Sequence, residues 1–328
     1  MFGYIHSYQS KPDSKITGAR RVYEACRKGL KGREDIDWID ATQKYYSFNP
    51  LDTKKYFLED ANYLDNTFKS LNSIAALVLD VIPLYDRAFD STYFWWKPKF
   101  DAIKHYDRVI VPSEWVKKTL IEDLGVQNEK IQVVKLGVDR KIFRPKKINR
   151  EIFCRIYNID PEKRLLGHVS FGYPRKNLER LFTVGSSDPE AQILKVGDDP
   201  FTPGVIQKIG VQGQVKILPA MNDLELSEFY NVIDAFVFPS TSEGFGLPAL
   251  EAQACGCPTI LSNTTALAEI IGPRGLGVDP FSVDEIRAAI EKVGERGENF
   301  TGWNYGEEEW LNQFDWKNIG HAVNDWLT

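Results

Sequence analysis

The 328-residue sequence predicts an α/β fold with two parallel-sheet domains. Short apolar segments alternate with segments of helical periodicity along most of the chain, a pattern typical of parallel sheets covered by helices. The length corresponds to about two domains of ordinary size. A basic segment with a proline, residues 144–150, lies near the middle of the chain and is predicted to link the two domains.

The first half of the chain begins with a predicted strand and alternates from there. Nearly continuous apolar runs are expected of strands buried on both faces, and the clearest example is 74–80. Ser113 is placed to cap a helix over 114–124 that ends at Gly125. The predicted strands are 2–6, 74–80, 108–112 and 131–136, and the predicted helices are 17–30 and 114–124.

The same alternation resumes in the second half. The predicted strands are 165–171, 191–196, 215–218, 235–239 and 259–262, and the predicted helices are 178–183, 224–232 and 247–254. From residue 283 onward the sequence is acidic and helical in pattern, with a break near 297–306. We therefore place the domains at 1–148 and 149–309, followed by a C-terminal helix at about 310–328.

Composition excludes several classes of protein. Apolar residues make up 43% and charged residues 27%, which is ordinary for a globular chain and excludes disordered and collagen-like classes. No apolar run approaches the roughly 18 residues that a membrane-spanning helix needs. The first residues lack the basic and apolar regions of a secretory signal. With four cysteines in so long a chain, we expect a cytoplasmic protein without a disulfide framework.

The formal net charge of −5 hides an asymmetry between the two halves. Residues 1–148 carry 26 Lys and Arg against 20 Asp and Glu, whereas the remaining residues carry 15 against 26. A basic half favours an anionic partner, although two unrelated solvated surfaces would give the same numbers.

The most informative segment for function is 238–251, where a predicted strand leads through a loop with Gly244 and Gly246 into a helix. Glycines let the backbone approach a ligand closely and adopt positive φ. The free N–H groups at the start of the helix favour a phosphate. Glu243 precedes the turn and Glu251 lies on the helix. The two carboxylates are therefore placed to bind neutral hydroxyl groups at separate points of one elongated ligand.

Glu243 and Glu251 resemble the E-x7-E motif of retaining glycosyltransferases of family 4, which have the GT-B fold. The resemblance extends through 252–260 and includes 106–114 in the first half. It implies two Rossmann-like domains facing a cleft, with the helix after Phe314 crossing back to the first domain. It also implies transfer of a sugar, with retention of configuration, from a UDP- or GDP-sugar on the second domain to an acceptor on the first. The family needs no metal, and no cofactor is implied beyond this co-substrate.

The resemblance also implies roles for individual residues. Glu243 would act as a catalytic residue that contacts the donor sugar, and Glu251 would hold the ribose hydroxyls. Lys176 matches the lysine that binds the diphosphate, with Arg175 beside it. The remaining donor-binding residues implied by the resemblance are Gly18, Gly244, Phe245, Gly246 and Leu247.

Two positions depart from the family pattern. Phe171 stands where the family has an arginine, so Arg175 or a residue elsewhere would have to supply the second positive charge. Leu79 stands where the family often has a histidine, and its side chain cannot hydrogen-bond a sugar. Asp80 follows it and is a candidate catalytic residue that orients the acceptor or takes its proton. The alternative for Asp80 is a capping role at the end of a strand.

Three other features have simpler interpretations. The Asp35-Ile36-Asp37 string resembles the metal signature of another glycosyltransferase fold, and we interpret it as surface. Cys255 and Cys257 lack the spacing of a zinc site and are predicted to be buried, so we expect no metal site. Residues 95–100 interleave aromatic and basic side chains. Such a patch is suited to peripheral contact with an anionic surface, such as the inner face of a membrane, or to stacking on sugars or bases, and the alternative is that the aromatic residues belong to the core.

Three hypotheses of function remain open. The leading one is a retaining glycosyltransferase whose acceptor is a glycan, a lipid, a protein or a modified nucleic acid. A nucleotide-sugar 2-epimerase shares the fold, but it would be expected to place several acids and histidines around the sugar, and the chain has four histidines. A non-catalytic sugar-nucleotide binding module would explain Leu79 and Phe171. The sequence does not determine the donor base and sugar, the acceptor, the linkage or the oligomeric state.

Overall fold

A computed structural model describes residues 2–6, 18–40, 55–58, 73–85, 93–295 and 305–327. The chain divides into two compact units, which are Met1–Gly137 with Phe314–Thr328 (unit 1) and Val138–Gln313 (unit 2). Each unit contains a six-stranded sheet, and every recorded strand pair is parallel. The predicted α/β class with two parallel-sheet domains is therefore confirmed.

The strands and helices of the described residues follow in chain order. The strands are β1 (Phe2–His6), β2 (Ile36–Asp40), β3 (Lys55–Leu58), β4 (Ile74–Leu77), β5 (Arg108–Val111), β6 (Ile131–Val133), β7 (Arg164–Val169), β8 (Ala191–Val196), β9 (Val215–Leu218), β10 (Ala235–Phe238), β11 (Thr259–Ser262) and β12 (Gly275–Val278). The helices are α1 (Gly18–Gly29), α2 (Tyr93–Ile103), α3 (Glu114–Leu124), α4 (Arg150–Tyr157), α5 (Leu178–Gly185), α6 (Thr202–Ile209), α7 (Asp223–Val232), α8 (Leu247–Ala254), α9 (Val283–Glu295), α10 (Tyr305–Leu311) and α11 (Lys317–Leu327).

In unit 1 the strand order is β2-β1-β3-β4-β5-β6. All four residues of β4 are buried, as expected of a central parallel strand. Phe100 and Ile103 on α2 and Val116 and Leu120 on α3 belong to one apolar cluster with Val109 of β5. Helices α2 and α3 therefore bury their apolar sides against this sheet.

The C-terminal helix α11 completes unit 1 by packing on α1. The two helices meet at Gly29 and Gly320, where a Cβ added to Gly29 would collide with the backbone of Gly320. Arg33 Nη1, just after α1, donates to Asn324 Oδ1 of α11 at 2.9 Å. The last helix is thus part of the same unit as the first helix.

In unit 2 the strand order is β12-β11-β10-β7-β8-β9. The chain moves from β7 toward β9 on one side of the sheet and from β10 toward β12 on the other. The direction therefore reverses between β7 and β10, which are neighbours. In open parallel sheets, ligands bind outside the carboxyl ends of the strands at such a switch point.

The segment predicted as a linker packs on unit 2, and the division between the units falls earlier, after Gly137. The backbone N–H of Lys146 donates to Asn231 Oδ1 at 2.7 Å. Arg150 opens α4, and its guanidinium donates to both carboxylate oxygens of Asp234. These contacts hold the segment on unit 2, through the backbone at Lys146 and through the basic side chain at Arg150.

Candidate active site

The candidate site is built on the loops that follow β7 and β10 at the switch point of unit 2. The loop over 170–177 ends in a 3-10 turn before α5, and the loop over 239–246 leads into α8. The backbone N–H of Thr241 donates to the carbonyl of Arg175 at 2.8 Å. The two loops are therefore hydrogen-bonded to each other as well as being adjacent in the sheet.

Lys176 and Glu243 form the central contact of this site. Lys176 Nζ donates to Glu243 Oε1 at 2.5 Å, and the two residues are only 9% and 8% exposed. Lys176 Nζ also lies 4.8 Å from the ring centroid of Phe238, the last residue of β10. The structure thus brings together two residues that the sequence predicts to bind the donor, as a buried, charge-assisted hydrogen bond.

Asn177 fixes the direction of the chain directly after Lys176. It has a positive φ of 58°, a conformation that asparagine tolerates better than most residues. Its Nδ2 donates to the carbonyls of Pro239 at 3.0 Å and Pro280 at 2.7 Å, and its Oδ1 accepts from Arg180 Nη1 at 2.9 Å. This one side chain joins the loops that follow β7, β10 and β12. The sequence analysis missed Asn177, because its side chain does not cap the helix that it precedes but donates to loops far away in the sequence.

The glycine loop before α8 presents backbone rather than side chains. Gly246 has a φ of 100°, and a Cβ at this position would lie 2.5 Å from Leu267 Cδ2. Phe245 and Leu247 on either side are buried. Position 246 therefore requires glycine for two reasons, which are its positive φ and its close packing. In the first turn of α8, Pro248 has no N–H group, and the N–H groups of Ala249 and Leu250 donate to the carbonyl of Gly246 at 3.0 and 3.3 Å.

Glu251 lies on α8 and is 3% exposed. Tyr230 of α7 donates its hydroxyl to Glu251 Oε2 at 3.2 Å. The two acids of the predicted motif therefore have different partners, a lysine for Glu243 and a tyrosine for Glu251. Tyr230 is a site residue that the sequence analysis missed, because only the fold brings α7 beside α8.

Phe171 belongs to an aromatic cluster with Tyr173 and Phe201. Its ring centroid lies 4.9 Å from that of Tyr173 and 5.8 Å from that of Phe201. Phe171 and Phe201 are 44% and 45% exposed. The guanidinium carbon of Arg175 lies 5.3 Å from the Tyr173 ring centroid. Arg175 is therefore beside this cluster, and its predicted role as the second positive charge stays a prediction.

A buried histidine lies beneath the site on β7. His168 is fully shielded from solvent, and its ring nitrogens are 2.8 Å from the carbonyl oxygen of Val237 and from Ser170 Oγ. The carbonyl can only accept, so Nδ1 is the protonated nitrogen of a neutral ring. Burial lowers the pKa of His168 to about 3. His168 thus links β7 to β10 as a neutral hydrogen-bonding group.

A buried ion pair supports the neighbouring loop between β8 and α6. Lys195 Nζ donates to Asp199 Oδ2, and Asp199 Oδ1 accepts the backbone N–H groups of Phe201 and Thr202, both at 2.9 Å. A Cβ added to Gly172 would collide with the Asp199 carboxylate. Asp199 is therefore packed against the loop that leads to Lys176.

Two predicted site residues, Asp80 and Gly18, belong to unit 1. Asp80 Oδ1 accepts the backbone N–H of Ile82 at 3.0 Å, so the carboxylate caps the turn after β4. This is the capping role considered as the alternative for Asp80, and its catalytic role stays a prediction. Gly18 is the first residue of α1. Leu79 is half-buried.

Asp35 and the two cysteines lie where the sequence analysis placed them, at the surface and in the interior. Asp35 is exposed and accepts from Arg33 Nε at 2.9 Å, while the side chain of Asp37 lies outside the described residues. Cys255 and Cys257 are buried, and burial raises the pKa of the Cys255 thiol to about 12. Across the described ranges there is no cluster of three or more His, Cys, Asp or Glu that could hold a metal ion.

The side chains of Trp95 and Trp96 lie outside the described residues, so their predicted surface contact stays a prediction. Within the part of the chain that the structure describes, no helix has both the length and the apolar character needed to cross a membrane.

Two family models match the chain. The model described as Glycosyltransferase Family 4 matches residues 73–141, and the model described as Glycosyl transferases group 1 matches residues 149–305. The chain therefore belongs to the group 1 and family 4 glycosyltransferases that these models describe. The family resemblance seen in the sequence is confirmed.

Named relatives agree with this assignment. The chain is 28% identical over 246 residues to the sulfoquinovosyl transferase SQD2 of Arabidopsis thaliana, covering 72% of this chain and 48% of the relative. It is 31% identical over 179 residues to an MMP alpha-(1->4)-mannosyltransferase of Mycolicibacterium hassiacum, covering 53% of this chain and 42% of the relative. The chain thus spans about half the length of these relatives or slightly less.

A solved structure shows the same fold over nearly the whole chain. Anabaena Alr3699/HepE, crystallised in complex with UDP, superposes with a TM-score of 0.77 at 17% identity, covering 99% of each chain. At this identity the likeness concerns the fold. The expected GT-B architecture of two Rossmann-like domains is confirmed.

Proposed function

We propose that the protein is a retaining glycosyltransferase that uses a nucleotide-diphosphate sugar. The observation that carries this proposal is the contact between Lys176 and Glu243 at the switch point of unit 2. It places an amine suited to a diphosphate against a carboxylate suited to sugar hydroxyls. Membership of the glycosyltransferase family supports the proposal, as does the fold shared with a protein crystallised with UDP.

The proposed donor site uses residues of unit 2. Lys176 binds the diphosphate, assisted by Arg175 and by the positive end of the α8 helix dipole. Glu243 contacts the sugar as a catalytic residue, and Glu251 holds the ribose hydroxyls while Tyr230 fixes its carboxylate. The backbone of the glycine loop lies along the ligand, with contacts from Gly244, Phe245, Gly246 and Leu247. We also propose that Gly18 of unit 1 contributes near the phosphates.

In the proposed reaction, the bond between the anomeric carbon and the diphosphate oxygen breaks as a bond to the acceptor oxygen forms on the same face. The electron pair of the broken bond leaves with the diphosphate, whose negative charge increases. Lys176 and the start of α8 stabilise that charge, so the reaction needs no metal ion. The proton of the acceptor hydroxyl passes to a carboxylate, which we assign to Asp80.

The acceptor is proposed by class only. The net positive charge of residues 1–148 favours an anionic acceptor or an anionic surface, and a cytoplasmic location fits the use of nucleotide sugars. Binding through such charges must weaken as salt increases, because exposed charges are screened. Acceptor binding that is equally strong at low and high salt would argue against this part of the proposal.

The experiment that tests the function is a donor panel. The protein is incubated with UDP- and GDP-sugars, and thermal shift, release of nucleoside diphosphate and glycosylated product are measured. Nucleoside diphosphate together with a glycosylated product supports transfer, whereas a changed but still activated sugar supports the epimerase. Binding without turnover supports the non-catalytic module. If Lys176→Ala and Glu243→Ala leave activity unchanged, the proposed site is wrong.

A further inference from the structure

The ion pair between Lys176 and Glu243 has a consequence for which ligands the site accepts. The two side chains are about 11% and 10% exposed, so water screens their charges poorly. Because Nζ and Oε1 are 2.5 Å apart, a phosphate that hydrogen-bonds Lys176 also comes close to the Glu243 carboxylate. Every anion that binds here is therefore attracted by one partner and repelled by the other.

The intact donor and the free nucleoside diphosphate differ in how strongly the Glu243 carboxylate repels them. In a sugar nucleotide the second phosphate is joined to the first phosphate by an anhydride bond and to the sugar by an ester bond, so it carries one negative charge. In the free nucleoside diphosphate it is a terminal phosphate, which carries nearly one further charge at neutral pH because its second pKa is about 6. The product thus brings more negative charge to the carboxylate than the donor does.

The sugar also changes what Glu243 can do. Sugar hydroxyls donate hydrogen bonds to a carboxylate and so compensate the interaction that Glu243 loses when Lys176 turns to the diphosphate. A free nucleoside diphosphate has no such donors. Its terminal phosphate would face the carboxylate with acceptors alone.

We propose that Glu243 is a specificity-determining residue that selects the intact sugar nucleotide against the free nucleoside diphosphate and so favours product release. This inference rests on the proposed function, since it takes the donor to be a nucleotide-diphosphate sugar. It adds to the sugar-binding role of Glu243 a second role, which is repulsion of the product.

The test compares binding constants of donor and product in matched variants. UDP, GDP and their sugar nucleotides are titrated calorimetrically into the wild-type protein, Glu243→Gln and Lys176→Met. We expect Glu243→Gln to bind the free diphosphate about tenfold more tightly, equivalent to about 1.4 kcal/mol, and to bind the donor no more tightly than the wild type. Lys176→Met is expected to weaken both ligands.

The matched control is Glu179→Gln. Glu179 also accepts a hydrogen bond from a lysine, Lys208, at 2.8 Å, but this pair is exposed on α5 and α6. Its replacement should leave both affinities unchanged. If Glu179→Gln tightened the diphosphate as much as Glu243→Gln does, general surface charge would explain the effect and the inference would be wrong.

A second measurement obtains its main result from the wild-type protein alone, by comparing two ligands. The methyl ester of the terminal phosphate of UDP lacks the extra charge of UDP and also lacks a sugar. The wild-type protein should bind this ester several-fold more tightly than UDP, and the difference should disappear in Glu243→Gln. If UDP binds the wild type as well as its methyl ester does, the inference is overturned while the proposed function stands. If the wild type binds neither nucleoside diphosphates nor sugar nucleotides, both are overturned.

Discussion

Lys195 and Asp199 form an ion pair in which both side chains are completely shielded from solvent. Lys195 Nζ also donates to the carbonyl of Gly197. Asp199 holds the first turn of α6 by accepting hydrogen bonds from the backbone N–H and the hydroxyl of Thr202. Burial alone would raise the pKa of Asp199, but hydrogen bonds from Lys195 and Thr202 outweigh it, so the pKa lies below its ordinary value. The ionised pair is therefore a fixed part of unit 2.

Breaking this pair should be costly. Asp199→Asn leaves the Lys195 ammonium buried without a countercharge, and we expect a loss of about 3–5 kcal/mol in the free energy of unfolding. Denaturant unfolding and calorimetric unfolding both measure this loss. The double variant Lys195→Met with Asp199→Leu removes both charges and should be less destabilised than the single variant. Equal loss in both would mean that the ammonium finds another partner.

His168 should make unit 2 sensitive to mild acid. Its pKa is about 3 in the folded state and about 6.5 when unfolded, so the unfolded chain binds the proton first as pH falls. The contribution of neutral His168 to the free energy of unfolding is thus fully present above the unfolded pKa. It is lost below that pKa, by about 2 kcal/mol between pH 7 and pH 5.

The check is the urea midpoint of unfolding at these two pH values. His168→Gln keeps hydrogen-bonding capacity but cannot be protonated in this range, so its midpoint should fall less than that of the wild type. His321→Gln, at an exposed position on α11, is the control and should behave like the wild type. If the urea midpoint of His168→Gln fell as much as that of the wild type between the two pH values, other groups would be responsible for the acid sensitivity.

Gly246→Ala should damage the start of α8. The φ of 100° is unfavourable for alanine, and the new Cβ would press on Leu267, so we expect about 1–3 kcal/mol of destabilisation together with weaker donor binding. Gly210→Ala is the matched control, since Gly210 also has a positive φ of 80° but nothing lies within 4 Å of its added Cβ. Calorimetric unfolding and donor titration distinguish the two. If the two variants lose equal stability and both bind donor normally, packing against Leu267 is unimportant.

Asn177 should affect donor binding through its side chain. Asn177→Gly retains the positive φ but loses the bonds to Pro239 and Pro280, so the loop that carries Lys176 becomes less fixed. We expect about tenfold weaker binding of the sugar nucleotide, measured by titration, with a folded protein by circular dichroism. Asn177→Ala adds backbone strain and should in addition lower the unfolding temperature. Normal affinity in Asn177→Gly would show that backbone contacts alone hold Lys176.

The contact between α1 and α11 should tolerate no side chain. Gly29→Ala places a methyl group against the Gly320 backbone, and we expect a loss of about 1–3 kcal/mol from overpacking. In contrast, Gly204→Ala on α6 meets nothing within 4 Å and should stabilise by about 0.5–1 kcal/mol, because alanine favours a helix. Thermal unfolding of both variants provides the comparison. A neutral Gly29→Ala would mean that the helices separate at little cost.

The sequence predicts best those elements whose signals are local. β8, β9, β11 and α8 have the predicted bounds. At α3, Ser113 accepts from the N–H of Val116 at 3.2 Å and Gly125 adopts a φ of 66°, so both predicted ends are confirmed. In each case a few adjacent residues carry the signal that predicts the element.

Elements with contrary local signals were not predicted. β12 contains Gly275 and Gly277, which are poor strand formers, yet it pairs with β11 at the edge of the sheet. α6 has proline and glycine in its first turn and is held there by Asp199. The predicted strand over 74–80 ends at Leu77, and the Asp80 carboxylate accepts the N–H of Ile82 in the turn that follows. Tertiary contacts decide these cases.

The same limit applies to the site. Lys176 and Glu243 are recognisable individually, but their contact joins residues 67 positions apart and exists because β7 and β10 are neighbours. Tyr230 and Asn177 gain their roles from partners on other elements. The sequence therefore predicts which chemical groups are present, whereas the strand order determines which of them meet.

The return of the chain to unit 1 bears on how the protein is made. Unit 2 is continuous over Val138–Gln313, whereas unit 1 needs both the first residues and the segment from Phe314 onward. During translation the N-terminal part of unit 1 is made before unit 2, yet it cannot complete its fold until the segment from Phe314 onward has also been made. A premature stop codon that removes only the last helix would therefore harm the domain that was translated first.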